Sequence, residues 1–377
     1  MNKFESAVGR IADNVDNLSQ NLMKKAWKEQ ADGSDLWIRC VYPELRGGRF
    51  PVKREVDRPL EVSARIEGRR PKSVRLLYRK VYPERADWRA LPMSEREEGT
   101  FKGNVLLDKC GIYYYTVEAE NKAGRRKRYR NELTVYVEPS RARFAAWYEF
   151  FPRSQGKIEG KGSTFRSAAE RLPDIRSMGF NVLYLPPIHP IGKTNRKGKN
   201  NSLVAGPDDP GVPWSVGNEA GGHTAVNPEL GTVEDFRHFV TAAEDLGMEI
   251  ALDFTSNCSP DHPWIKEHPD WFSYNPDGTL RYAENPPKKY EDVCPLNFTP
   301  ENRDELWPAL KDIFLFWIEK GVRTFRVDNP HTKPTEFWEW LIREIKKIFP
   351  ETVFLAEAFT DYDKLEELAL AGFSQSY

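Results

Sequence analysis

The chain has 377 residues, with 56 Lys and Arg against 57 Asp and Glu, a net charge of −1. That balance gives no support to binding of nucleic acid or of a membrane surface. No apolar run approaches the ~18 residues of a membrane span. Cysteines stand at 40, 110, 258 and 294 without metal-ligand spacing, and the polar start Met1-Asn-Lys-Phe-Glu-Ser lacks a secretory core. We therefore expect reduced thiols in a cytoplasmic protein with no metal and no cofactor.

Residues 1–32 read as a helical segment. Phe4, Val8, Ile11, Val15, Leu18, Leu22 and Ala26 recur every three or four positions, an apolar seam on a polar helix. The seam packs either on its own domain or at a subunit interface, which would make a homodimer.

Residues 33–140 change character. Leu60–Ile66 alternates apolar and polar residues, as does the run around Val74, Leu76 and Tyr78. Gly111–Ala119 and Leu133–Val137 follow, with Pro83, Gly99, Gly103, Asn121 and Gly124 between the runs. Short alternating strands at such spacing predict an immunoglobulin-like β-sandwich. Arg125-Arg-Lys-Arg128 follows a turn and reads as a solvated hairpin, given the neutral net charge.

From residue 141 the pattern becomes strand, helix, strand, helix. Strand-like runs are Phe144–Phe151, Asn181–Pro187, Glu249–Phe254, Thr324–Asp328 and Val353–Phe359. All but the first are dense in apolar residues, as parallel strands covered on both faces require. Amphipathic helices lie between them. Thr232 to Asp235 has the form of a capping box, Thr335 is the expected cap of another helix, and Pro173 should kink the helix near 164–178. Successive βα units predict a (β/α)8 barrel or a doubly wound sheet. Two long connections, 188–231 and 255–301, follow strands and precede helices, as in a barrel that builds its site on the C-terminal face. No glycine fingerprint follows the first strand, which weakens the dinucleotide-binding alternative.

Asp253, Asp328 and Glu357 stand at the ends of three successive strands. One such acid beside an Arg fits a structural ion pair; three converging on one mouth do not arise so easily by chance. Arg326 lies two residues before Asp328, on the same face of the strand, and an adjacent cation keeps a carboxylate ionised. Asp328 is thus the candidate nucleophile. Glu357, between Ala356 and Ala358, has apolar neighbours that should raise its pKa and suit it to acid/base work. Adjacent strands can hold two carboxyls ~5 Å apart, the separation of a retaining glycosidase.

The blocks Gly-x-Arg-x-Phe-Arg326-x-Asp328, Phe-Leu-Ala-Glu357 and Asp253-x-x-x-Asn257 resemble those of the α-amylase superfamily, glycoside hydrolase family 13. Pro186–Gly192, Arg196–Asn201, Gly221–His223, Cys258–Trp264, Glu284–Tyr290 and Val327–Pro334 narrow the resemblance to the GlgE-type maltosyltransferases. The resemblance implies transfer of a maltosyl unit from α-maltose 1-phosphate to the non-reducing end of an α-1,4-glucan, with retention. It implies Asp328 as nucleophile, Glu357 as proton donor, and Lys197, Asp292 and Asn329 as donor-binding residues. Asn257 joins them at a position where the family often has Gln.

There are two departures from the superfamily pattern. Cys258 replaces the His that follows Asn in ordinary α-amylases, which fits the maltosyltransferase branch. The sequence ends at Ser374-Gln-Ser-Tyr377, about where a sixth strand begins, so a third catalytic carboxylate and the closing strands are expected to be missing, and with them turnover. The competing readings are a hydrolase of maltooligosaccharides and a non-catalytic glucan-binding fragment.

Overall fold

The computed structural model describes residues 35–158, 160–285 and 287–377. The helix expected before residue 33 lies outside them. Residues 36–138 form two packed sheets. One pairs Leu36–Tyr42, Pro59–Gly68, Thr100–Leu106 and Ser94–Glu97 in that order. The other runs Val52–Glu55, Leu133–Glu138, Gly111–Glu120, Ser73–Tyr82 and Arg89–Pro92. Leu60, Val62, Leu76, Tyr115, Val117 and Val135 alternate inward and are fully buried between the sheets, as period-2 patterning demands. The basic hairpin is solvated and ion-paired: Arg126 meets Glu120 at 3.0 Å and Arg128 meets Glu118 at 3.4 Å.

The second layer system is a six-stranded parallel sheet whose spatial order follows the chain: Trp147–Glu149, Val182–Leu185, Glu249–Phe254, Thr324–Asp328, Val353–Glu357 and Gln375–Ser376. Sequential parallel order is the order of a barrel wall and excludes the reversal of a doubly wound sheet. The expected third and fourth strands keep their bounds; the first shrinks to Trp147–Glu149. Helices Val233–Asp245, Arg303–Glu319 and Thr335–Ile348 cover the sheet through Phe236, Phe239, Leu310, Phe314, Trp317, Trp338 and Leu341, all buried in one core.

Thr232 and Asp235 form the expected capping box. The helix near 164–178 is broken into Phe165–Ala168 and Leu172–Ser177, with Pro173 in the first turn of the second piece, where its missing N–H costs nothing. Thr335 does not cap its helix. It is the first helical residue, preceded by Pro334, and its hydroxyl donates to Glu367 at 3.2 Å. No helix among the described residues is long and apolar enough to cross a membrane.

The sandwich and the sheet are joined by buried polar contacts. Lys346, on helix Thr335–Ile348, donates to Glu138 Oε1 at 2.9 Å and to the Thr352 carbonyl at 2.9 Å, while Ser374 donates to the same Glu138 oxygen at 2.6 Å.

Candidate active site

Register places the acidic residues together. In the parallel sheet Asp253 is paired with Arg326, and Asp328 with Glu357. Paired residues share a face, as do residues two apart, so Asp253, Arg326, Asp328 and Glu357 all project from one face of three adjacent strands. Arg326 is their hub. Its Nη1 donates to Asp253 Oδ2 at 2.8 Å and to Asp328 Oδ1 at 2.9 Å, its Nη2 meets Glu357 Oε1 at 2.9 Å, and its Nε donates to the Tyr377 hydroxyl at 3.0 Å. The guanidinium fork, with five N–H donors, is the one side chain that serves so many acceptors at once.

The environments of the acids differ. Asp253 is fully buried, and burial pushes its carboxyl up to about 8 against the pull of Arg326. The Tyr184 hydroxyl donates to the same Oδ2. Asp253 Oδ1 and the Trp214 indole N–H are both buried without a partner of good geometry, yet the indole stands close enough to favour the ionised carboxylate. Burial also raises the pKa of Glu357, with Arg326 opposing and the Asp328 charge adding to the rise; this is the direction its alanine-flanked position predicts.

Asn329 takes a left-handed conformation, φ 46° and ψ 50°. Asn tolerates that region better than most side chains. The turn aims its backbone N–H at Glu357 Oε2, 3.2 Å away, so the residue after Asp328 helps orient the partner carboxylate through its main chain.

The remaining expected contacts lie on the two long loops. Lys197 is 5% exposed and its Nζ donates to Glu291 Oε2 at 2.7 Å. Asp292 is buried, and burial raises its carboxyl while the Lys197 charge lowers it. Lys197 and Asp292 are therefore neighbours. Asn257 is half-buried, with its N–H bonded to Thr255 Oγ1 at 3.3 Å. The loop after the third strand folds back through reciprocal backbone bonds between Cys258 and Cys294, at 3.0 and 2.6 Å, which brings the segments of Asn257 and Asp292 alongside. No hydrogen bond among the described residues joins Lys197 or Asp292 to the Asp328–Glu357 pair. A hollow of about 650 Å³ lined by Gln155, Lys157, Lys161 and Arg171 holds none of these residues.

Behind the loops lies a histidine chain that sequence reasoning missed. His223 Nε2 is 3.0 Å from the Thr255 carbonyl, His223 Nδ1 is 3.1 Å from His262 Nε2, and the Trp264 N–H donates to His262 Nδ1 at 3.1 Å. An acceptor at each Nδ1 puts the protons on both Nε2 atoms and leaves both rings neutral. Cys258 Sγ is near enough to complete a three-donor cluster, but His262 Nε2 carries a proton in this arrangement, and burial holds the Cys258 thiol well above its usual pKa. The donor set therefore fits a closed hydrogen-bond chain and not a metal centre. Tyr184, Tyr377, Trp214 and Glu291 were likewise missed. Each acts through a partner far away in sequence, and none stands in a pattern of its own.

Comparison with known proteins shows what the chain is similar to. Residues 34–140 match the family model for domain N/S of α-1,4-glucan:maltose-1-phosphate maltosyltransferase, and residues 149–309 match the α-amylase catalytic domain. An α-1,4-glucan:maltose-1-phosphate maltosyltransferase of Methylacidiphilum infernorum is 59% identical over 245 residues, 65% of this chain and 37% of that protein. One from Chlorobaculum tepidum is 42% identical over 420 aligned positions, 90% of this chain and 62% of that protein. The chain thus spans less than two-thirds of the length of these relatives. A solved α-amylase of Lactobacillus plantarum is 30% identical, with a TM-score of 0.49 over 62% of this chain and 49% of that one. The chain belongs to the α-1,4-glucan:maltose-1-phosphate maltosyltransferase family, a branch of the α-amylase superfamily.

Proposed function

We propose that the protein transfers a maltosyl unit from α-maltose 1-phosphate to the non-reducing end of an α-1,4-glucan, with release of phosphate and retention of configuration. In this reading the strands are the first six of a (β/α)8 barrel. The observation that carries it is the register pairing of Asp328 with Glu357 under one guanidinium. Asp328 Oδ attacks the anomeric carbon as the bond to the phosphate oxygen breaks, and phosphate leaves with the electron pair. The result is a maltosyl ester on Asp328. Glu357, with its raised pKa, supplies the proton that helps the leaving group depart. It then takes the proton of the acceptor 4-hydroxyl, whose oxygen displaces Asp328 from the same carbon.

Lys197 supports the donor end of the reading. A phosphoester dianion offers it a stronger partner than the Glu291 carboxylate it now holds. Asp292, Asn257 and Asn329 supply acceptors and amide groups for sugar hydroxyls.

The test is mass spectrometry of the Glu357→Ala protein with α-maltosyl fluoride, followed by peptide mapping. Fluoride leaves without an acid, and no base then activates the acceptor, so the ester should persist on Asp328. Label on another residue, or none, refutes the assignment. Phosphate release from maltose 1-phosphate, with glucan extended by two glucose units, separates transfer from maltooligosaccharide hydrolysis.

A further inference from the structure

Tyr184 has no part in the transfer described above, yet it touches the acid cluster at a decisive point. It lies on strand Val182–Leu185 with Ala251 as its register partner, so it shares a face with Asp253, two residues beyond Ala251. Its hydroxyl donates to Asp253 Oδ2, the same oxygen that accepts from Arg326 Nη1 at 2.8 Å. That Nη1 also serves Asp328 Oδ1 at 2.9 Å. One nitrogen is therefore divided between a fully buried acid and the proposed nucleophile. The guanidinium also stands over the Tyr184 ring, 5.9 Å from its centroid.

Resting on the reading above, we propose that Tyr184 is a positioning residue: by giving Asp253 a second donor, it lets Arg326 divide Nη1 between Asp253 and Asp328 and so holds the nucleophile in place. Asp253 Oδ2 is a buried acceptor whether or not its carboxyl is ionised, and an acceptor that loses one donor leans harder on the one it keeps. Without the phenol hydroxyl the guanidinium moves toward Asp253, and Asp328 loses its share. The groups that face this cluster are Tyr184, Trp214, Arg326, Asp328, Glu357 and Tyr377, with His331 and Lys333 in electrostatic reach of Asp328. None of these is an acid that would take over the part of Asp253 on the Tyr184 side.

The test is the rate of Asp328 labelling by 2-deoxy-2-fluoro-α-maltosyl fluoride as a function of reagent concentration. The fluorine at C2 slows both steps, and the fluoride leaving group keeps the first one measurable. Tyr184→Phe keeps the ring and removes only the donor. It should label about tenfold more slowly, the worth of one hydrogen bond to a charged group, with a half-saturating concentration unchanged within about twofold. Asp253→Asn removes the competing carboxylate for Nη1, so adding Tyr184→Phe to it should slow labelling no further. A merely structural role would slow labelling by the same factor in both backgrounds, and that result overturns the proposal. Should Tyr184→Phe alone not fold, a double variant that labels about tenfold more slowly than Asp253→Asn overturns it equally. Failure of the unmodified protein to label refutes the transfer reading and this proposal with it. Labelling of the unmodified protein with an unchanged profile in Tyr184→Phe removes only Tyr184.

Discussion

The buried pair between the sandwich and the sheet offers a measurable perturbation. Lys346 is 1% exposed and Glu138 4%. Burial raises the Glu138 carboxyl, but Lys346, Ser374 and Lys53 together bring it below its ordinary value. Lys346→Met keeps the unbranched stem and its packing but leaves the carboxylate buried with the Ser374 hydroxyl and the more distant Lys53. Removing one partner of a buried pair costs about 3–5 kcal/mol, and the Lys53 charge should bring the loss toward about 3 kcal/mol at neutral pH. The sign with pH follows. In the native protein the depressed carboxyl contributes stability that is present above the unfolded value of about 4.3 and is lost as pH falls through the folded value. In the variant the carboxyl is raised, so protonation relieves it and the gap between the two proteins narrows below about pH 6. The double variant Lys346→Met with Glu138→Gln should recover most of the loss. The assay is urea unfolding followed by tryptophan fluorescence, at neutral pH and near pH 5. Equal midpoints at neutral pH, or a gap that widens on acidification, would show that this pair does not tie the two layers together.

Further predictions rest on the loops. Burial depresses His189 to about 4 and His262 to about 3, so both stay neutral in the folded chain; stability should be full above about 6.5, where the unfolded imidazoles are also neutral, and fall by up to about 1.4 kcal/mol per pH unit for each ring as pH drops from there toward the folded values. Thermal unfolding from pH 7 to pH 5 checks this, and a flat profile refutes it. Gly222→Ala would set a methyl group against the His262 ring and should cost about 1–3 kcal/mol by overpacking, read by the same melts. Lys197→Ala should weaken maltose 1-phosphate at least about tenfold, the loss of a charge-assisted contact, and leave maltose nearly unchanged; calorimetric titration with the two ligands decides, and equal weakening would remove Lys197 from the phosphate.

What could be read from the residues alone was local. Glu249–Phe254 and Thr324–Asp328 are short, largely apolar runs that carry an acid at or next to their ends, and they form strands with those bounds. Phe144–Phe151 is more aromatic, Phe144 is exposed and Pro152 follows closely, and only Trp147–Glu149 pairs. Thr335 had the right residue type for a cap, yet Pro334 at the preceding position already sets the helix start. The strand-end places of Asp328 and Glu357 were legible because strand ends and the spacing to Arg326 are properties of short segments. The Lys197–Glu291 bond spans 94 residues and the Tyr184–Asp253 bond 69; each depends on a fold-back that no periodicity announces. The histidines stood in recognisable blocks, but their chain of donors and acceptors exists only once the two long loops lie together.

One guanidinium among three carboxylates also constrains how the site can work. If all three acids were ionised, Arg326 would balance only one of them, and the excess charge would lie where burial makes it most costly. The structure answers by giving the acids unequal surroundings. Asp253 has the deepest burial and a carboxyl raised to about 8. Glu357 is raised by burial and receives the Asn329 N–H at the oxygen that does not meet Arg326. Asp328 shares Nη1 with Asp253, whereas Glu357 takes Nη2. Two carboxyls in different environments are what a double displacement needs, one to attack as an anion and one to carry the proton. Parallel register is what sets the two proposed residues side by side. A slip of one residue between strands Thr324–Asp328 and Val353–Glu357 would turn Glu357 to the opposite face of the sheet, and neither the shared guanidinium nor the paired roles would survive it.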